Sequence, residues 1–378
     1  MKNDYIEFYG KNGITPVHQD VSDLELHYRR RQKLYRQCGI PTIAFNGAQM
    51  LEIGPGGGHN ALAPVHWGIG HLDLVEPNHA GVDSIKYLFD KQGIAKDKYT
   101  IINSQIENYE TDKRYDIIVA EGFLGYVSNA ADICRKIMPL CREGGVIVIT
   151  CSDDVCIFPE LIKRLIGQII SSDEKTLEGK VNRLIPIFEP QLNSLRGVSR
   201  PVKDWIEDNI LNPAFANGNS FSISDAIEVF DGFDILGGSP SMFTDYSWYK
   251  DVWVDEKRDC RDQFYRKRMA LVMAGLPEQI LEEDDCNKLF ETFSHIKKLE
   301  NDYENKSDIK IVGELADYMN SNRDLVAIMG GNLLAVYEES ISVINALSKG
   351  EKPDLELYPN LFKAFGRGLQ YMSFMKVG

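Results

Sequence analysis

One run constrains this chain more than any other: Met50-Leu51-Glu52-Ile53-Gly54-Pro55-Gly56-Gly57-Gly58-His59-Asn60. An apolar segment that breaks into glycines reads as a buried strand ending in a loop. In open α/β sheets, ligands bind outside such carboxyl ends of strands. Glu52, Gly54, Gly56 and Gly58 are spaced acidic-x-Gly-x-Gly-x-Gly. Glycine accepts positive φ and puts no Cβ between backbone and ligand. A flat, polar ligand can therefore lie close to these amides, with Pro55 beside them. A tight strand-to-helix turn without a ligand is the plainer reading of the loop taken alone.

The elements that follow arrive in the order of a parallel sheet. His71 to Val75 reads as a second strand ending in Glu76, Pro77 and Asn78. A carboxylate at that place can accept two hydrogen bonds from the hydroxyls of a ribose. Tyr99 to Ile102 reads as a third strand, with Ser104, Gln105 and Ile106 in its exit. Tyr115 to Ala120 is nearly all apolar, as a parallel strand covered on both faces should be. It leads into Glu121, Gly122 and Phe123, with Tyr126 just beyond. Ile133 to Cys141 reads as a helix, Glu143-Gly144-Gly145 as a turn, and Val146 to Thr150 as a fifth strand.

The glycine spacing resembles motif I of the class I S-adenosylmethionine-dependent methyltransferases. Met138-Pro139-Leu140-Cys141-Arg142-Glu143-Gly144-Gly145-Val146 is similar to the entry into their fifth strand. The resemblance covers residues 48–152. It implies an α/β fold, a doubly wound seven-stranded Rossmann-like sheet with an antiparallel C-terminal strand. It also implies S-adenosylmethionine as cofactor and S-adenosylhomocysteine as product. The cofactor set would be Glu52, Gly54, Pro55, Gly56, Gly58, Glu76, Pro77, Asn78, Ser104, Gln105, Ile106, Glu121, Gly122 and Phe123. The aspartate usual after the third strand of the family is absent, so Ser104, Gln105 and Ile106 stand there by position only. Phe233 to Gly238 and Leu369 to Val377 fit the family's sixth and seventh strands. The chain between them is far too long for a hairpin loop and predicts an inserted helical unit.

The expected organisation is a helical segment (1–40) over the cofactor site and a Rossmann-like core (41–156). A helical insertion (157–223), the sixth-strand region (224–240), a helical cap or oligomerisation insertion (241–363) and a terminal core strand (364–378) follow. Ser22-Asp23-Leu24-Glu25 predicts a capping box, with a helix running to about Cys38 and Gly39 as its terminator. Leu24, His27, Arg31 and Leu34 share one side of this helix. It also carries Arg29, Arg30, Lys33 and Arg36. A solvated basic helix is the plain reading. The resemblance adds that one of its arginines or tyrosines folds over the cofactor's carboxylate. Pro16 to Asp20, just ahead of it, would line the reaction chamber or form a turn.

Composition narrows the function. The chain of 378 residues is 43% hydrophobic and 26% charged, as globular proteins are. Its net charge of −14 argues against a nucleic-acid partner, which needs concentrated positive charge. Seven cysteines without a C-x-x-C pair suit a reduced, cytoplasmic protein without structural zinc or any other expected metal. The start of the chain lacks the apolar stretch of a signal peptide, and no run is long enough to cross a membrane. Arg196, Arg200 and Lys203 could receive an anionic group or be ordinary surface cations. The aromatic stretch around Tyr246 could stack on a ring or pack in the core. Residues 255–350 read as amphipathic helices, a cap or a surface for self-association.

The expected function is methyl transfer to a hydroxyl or amine of a small molecule. A sugar, a nucleotide-linked sugar or a natural product would suit the insertions. Candidates for the proton-accepting group are His18, Asp20, His59 and Asp153; His59 could instead hold the loop and Asp153 cap a helix. Candidates for acceptor contacts are Tyr126, Arg196, Arg200 and Tyr246. The alternatives are an NAD-dependent oxidoreductase, against which His59 stands in place of the third glycine, an aminopropyl transferase, and a catalytically silent S-adenosylmethionine-binding protein.

Overall fold

The computed structural model describes residues 21–195, 201–213, 215, 220–243, 248–251, 255–277 and 279–377. The chain divides into two compact units. One is drawn from Met1–Ser152, Gly218–Phe264 and Leu369–Gly378, the other from Asp153–Asn217 and Tyr265–Gly368. Most of the expected insertions at 157–223 and 241–363 thus falls in the second, helical unit, but 218–223 and 241–264 belong to the first unit and 153–156 to the second. No helix among the described residues is long and apolar enough to cross a membrane.

The first unit is built on a seven-stranded sheet of β1 (Gln49–Ile53), β2 (His71–Val75), β3 (Tyr99–Ile102), β4 (Tyr115–Ala120), β5 (Cys141–Cys151), β6 (Phe233–Ser239) and β7 (Gln370–Lys376). The order is β3-β2-β1-β4-β5-β7-β6. β1 to β5 run parallel, and β7 lies antiparallel between β5 and β6. β1 and β4 are buried along nearly their whole length, which explains the nearly all-apolar sequence of β4.

The helices in chain order are α1 (Leu24–Gln37), α2 (Leu62–His66), α3 (His79–Lys91), α4 (Ala130–Ile137), α5 (Phe158–Ile170), α6 (Leu177–Ser194) and α7 (Val202–Ile206). They continue as α8 (Ile223–Val229), α9 (Glu256–Lys267), α10 (Glu283–Lys306), α11 (Ile309–Ser321), α12 (Arg323–Ala327), α13 (Gly331–Ser348) and α14 (Pro359–Lys363).

Two local expectations are corrected. The cap of α1 is Asp23, whose carboxylate accepts from the Leu26 amide at 2.9 Å, rather than Ser22. β5 starts at Cys141 rather than Val146. The predicted turn at Glu143-Gly144-Gly145 is an irregularity inside the strand, where the ladder slips between Tyr115 and Ile117. The sheet keeps pairing on both sides of the slip, so a local turn signal is absorbed without ending the strand.

In the helical unit α6 continues through Pro186 and Pro190. Proline removes a helical hydrogen bond and crowds the preceding turn. Here Val181, Leu184, Phe188 and Leu192 form a buried stripe at helical spacing, and their packing outweighs the two lost bonds. At the centre of the unit α5 carries three buried charges, Glu160, Lys163 and Arg164. Glu160 accepts from the Gly366 amide, and Lys163 donates to the Ala364 carbonyl. Arg164 donates to the carbonyls of Ile210 and Asn212 at 3.1 and 2.7 Å, and pairs with Glu300 and Glu304.

Candidate cofactor site

Strand register builds the site. Ile53 of β1 lies level with Val75 of β2 and Ala120 of β4. The next residue in each strand is therefore Gly54, Glu76 or Glu121, and these stand in a row at the carboxyl edge. Strand order also reverses between β1 and β4, where open sheets form their ligand crevice. Gly54, Gly56 and Gly58 have φ of 64°, 55° and 78°. Side chains other than glycine rarely adopt that conformation, so the loop's shape depends on the glycines found there.

Three carboxylates differ sharply in surroundings. Glu76 accepts from the amides of Gly56 and Asn78, both at 2.8 Å, and is 2% exposed. Burial pushes its carboxyl up to about 7, against the pull of those two amides. Glu52, at the end of β1, is 3% exposed, and its Oε2 has no hydrogen-bond partner. Burial, then the nearby charge of Glu121, pushes it up to about 8. An orphaned buried oxygen beneath a glycine loop is costly unless a ligand's donor satisfies it.

Glu121 is the best supported of the three. Arg31 of α1 grips it in a two-pronged pair, Nη1 to Oε1 at 2.8 Å and Nη2 to Oε2 at 2.7 Å. Asn60 of the glycine loop donates to Oε1 at 3.1 Å, and the Tyr371 phenol of β7 at 2.5 Å. Burial pushes this carboxyl up, but the charge and hydrogen bonds of Arg31, with that of Tyr371, outweigh it and hold it below the ordinary value. Arg31 also donates to the Tyr35 hydroxyl at 3.0 Å.

α1 is laid against the loop by further contacts. His27 Nε2 donates to the His59 carbonyl at 3.0 Å, and Tyr28 stacks on His66 with ring centres 4.0 Å apart. Burial, then Arg31, lowers the pKa of His27, which favours the neutral ring that this bond uses. Past the far end of α1, Ser373 donates to the Cys38 carbonyl at 2.7 Å. The basic face read from sequence is thus divided. Arg31 turns inward, while Arg29 pairs with Glu25 at an exposed site.

The other candidates fall as follows. Pro77 and Asn78 continue from Glu76, and Asn78 caps α3 through the Ala80 amide at 2.9 Å. Ile106 is buried, Gln105 exposed, and the Ser104 hydroxyl turns to the Gln105 carbonyl. The Gly122 amide donates to Thr150 at 2.8 Å, which ties the exit of β4 to the end of β5. The Phe123 ring lies over Gly54, 3.2 Å from where a Cβ would stand. Tyr126 ends a short turn of helix over Leu124–Tyr126 and is partly buried. The His59 ring lies against Gly57, where an added Cβ would come within 2.7 Å of it. Asp153 belongs to the helical unit. Its carboxylate caps Val155 at 3.2 Å and pairs with Arg268 at 2.6 Å, so the expected proton acceptor is already engaged. His18, Asp20, Arg196, Arg200 and Tyr246 lie outside the described residues.

Sequence reasoning missed Asn60, Asn103 and Tyr371. Asn103 joins the exits of β3 and β2 by donating to the carbonyls of Glu76 and Pro77 at 2.8 and 3.2 Å. Tyr371 gave no signal beyond its place in a strand. For Arg31 the signal was its place on the same side of the helix as Leu24, His27 and Leu34.

A sheet of this order, with β7 reversed and an acid-flanked glycine loop at the β1–β4 switch, defines a class I methyltransferase fold. Residues 26–184 match the family described as "Methyltransferase domain". Among solved structures, the CcbJ methyltransferase from Streptomyces caelestis is similar at 19% identity, over 29% of this chain and 45% of that one, with a TM-score of 0.26. The N-methyltransferase NodS from Bradyrhizobium japonicum WM9, in complex with S-adenosylhomocysteine, is similar at 16% identity, over 40% and 75%, with a TM-score of 0.31. PKMT2 from Rickettsia typhi, in complex with the same product, is similar at 16% identity, over 63% and 49%, with a TM-score of 0.43. The chain thus spans about half the length of the first and third of these. No curated protein sequence matches it.

Proposed function

We propose that the protein transfers a methyl group from S-adenosylmethionine to a hydroxyl or amine of a small molecule. The observation that carries this reading is the row of Gly54, Glu76 and Glu121 at the switch point, with Glu52 buried beneath the left-handed glycines. The residues fit the cofactor. Glu76 has the place and the two oxygens to accept from a ribose diol. The loop backbone leaves room for a close approach. Arg31, Glu121 and the orphaned oxygen of Glu52 complement a zwitterionic amino-acid end. When bound, the cofactor supplies a methyl group already activated on a sulfonium. The chain's task is then to align the acceptor and exclude water, and positioning of that kind can carry much of the rate.

His18 and Asp20 are the candidates for taking a proton from a hydroxyl acceptor, because the segment holding them leads directly into α1. Tyr126, Arg196, Arg200 and Tyr246 are the candidates for holding the acceptor. A sugar, a nucleotide-linked sugar or a natural product is the acceptor class this reading favours. After β4 the chain reads Glu121-Gly122-Phe123-Leu124, without the Asn/Asp-Pro-Pro-Tyr/Phe signature of enzymes that methylate DNA bases. The net charge of −14 also speaks against a nucleic-acid substrate. Seven cysteines with no disulfide among the described residues suit a reducing compartment, so the cytoplasm is the location this reading favours. Self-association through the helical segments belongs to the same proposal.

Calorimetric titration with S-adenosylmethionine, S-adenosylhomocysteine and NAD tests the cofactor. Micromolar binding of the first two and none of NAD is expected; binding of NAD alone would overturn the reading. Gly56→Val should abolish cofactor binding while the protein still melts cooperatively, since a branched side chain at φ 55° distorts the loop. Retained affinity would make the loop merely structural. Turnover of labelled S-adenosylmethionine with a panel of hydroxyl and amine acceptors separates an enzyme from a silent binder.

A further inference from the structure

Glu121 sits one residue beyond β4, in a loop, and its carboxylate is oriented entirely by its partners. Arg31 belongs to α1 and Asn60 to the glycine loop, two segments that would themselves border the cofactor. The third partner, Tyr371, belongs to the sheet. Its backbone is level with Thr150 of β5 on one side and Ser239 of β6 on the other, so its position is fixed by ladders on both edges. Its hydroxyl meets the same Oε1 that receives Arg31 Nη1 and Asn60.

Across the strand order β2-β1-β4, Glu76 stands at one end of the crevice and Glu121 at the other, with the glycine loop between them. A nucleoside whose ribose was held at Glu76 would meet Glu121, Arg31 and Glu52 with its amino-acid end if it lay across the glycine loop. That end carries both charges which this set complements.

We propose that Tyr371 is a positioning residue for the amino-acid end of the cofactor, acting through Glu121 and Arg31. The inference rests on the cofactor reading given above. Tyr371 anchors Glu121 to the sheet, Glu121 fixes the plane of the Arg31 guanidinium, and the pair presents a preformed charge pattern to the ligand. A terminal strand that merely closes the sheet would have no preference for one end of the ligand.

The test compares two nucleosides on Tyr371→Phe and the unaltered chain. S-Adenosylhomocysteine carries the amino-acid end, and 5′-methylthioadenosine lacks it. The variant should raise the Kd for S-adenosylhomocysteine about tenfold, because Glu121 and Arg31 then have to be ordered on binding. The Kd for 5′-methylthioadenosine should stay within about twofold. Equal weakening of both would assign Tyr371 to packing alone and overturn the proposal, as would no change in either. Glu121→Gln, with the same expected selectivity, serves if Tyr371→Phe does not fold. If the unaltered chain binds neither nucleoside, the cofactor reading falls and takes this one with it. If the unaltered chain binds both and their ratio is unmoved in the variants, the positioning role alone falls.

Discussion

Two arginines, Arg31 and Arg164, are buried against carboxylates in different parts of the molecule, and they are used differently. Arg31 meets a single carboxylate with both prongs, and Glu121 stays ionised beside the glycine loop. Arg164 meets two carboxylates, Glu300 and Glu304, and two backbone carbonyls. One cation cannot balance two buried anions. Burial leads the forces on Glu300, Glu304 adds to it, and its carboxyl is pushed up to about 8 despite Arg164. The first arrangement is a neutral pair with its charges fixed at a site. The second is a cross-link among helices that keeps a proton to stay neutral. Buried charge in itself therefore marks neither stability nor function; the number and placement of partners decide.

The comparison breaks most visibly at Arg164. Arg164→Met leaves Glu300, Glu304 and two carbonyls without their cation and should cost about 3–5 kcal/mol of stability, read from the urea midpoint. Affinity of the remaining folded protein for S-adenosylhomocysteine should be unchanged. A parallel loss of affinity would show that the two arginines are not separate in function. A smaller effect is expected at Glu76, where Glu76→Ala should weaken binding by roughly 1–3 kcal/mol. This loss should be equal for S-adenosylhomocysteine and 5′-methylthioadenosine, since both carry the ribose. A selective loss would put the ribose elsewhere.

A further effect is one of slope. The folded state raises the Glu300 carboxyl from an ordinary 4.5 to about 8, so it holds a proton that the unfolded chain has lost. Stability from this group is complete below pH 4.5, declines as pH rises and is gone above about 8. Glu300→Gln removes the titration and should flatten the fall in melting temperature across that window. An unchanged slope would mean that the Arg164 cluster carries no extra proton.

Most of the sheet was legible before the structure because parallel strands announce themselves. The apolar runs of β1 and β4 and the glycines after Ile53 sit where covered strands and a ligand loop require them. Glu52 and Glu76 were legible for the same reason, as acids at the ends of such strands. β5 was misread at its start because Gly144-Gly145 is a turn signal that pairing with β4 overrides. Tyr371 and Asn60 could not be read at all. Their importance comes from meeting Glu121 in space, and no spacing along the chain encodes that meeting.

The placement of β7 also bears on how the chain is made. β5 is finished at Cys151, but its outer neighbour starts only at Gln370, after the whole helical unit. At about 5–20 residues per second on the ribosome, the interval is on the order of ten to forty seconds. For that time one edge of β5, rich in valine and isoleucine, has no strand beside it. Such an edge is a template for pairing with another chain. The nascent protein should therefore pass through a stage in which five parallel strands end in an open, adhesive edge. Chaperone demand and losses to aggregation should concentrate in that stage rather than in the finished molecule.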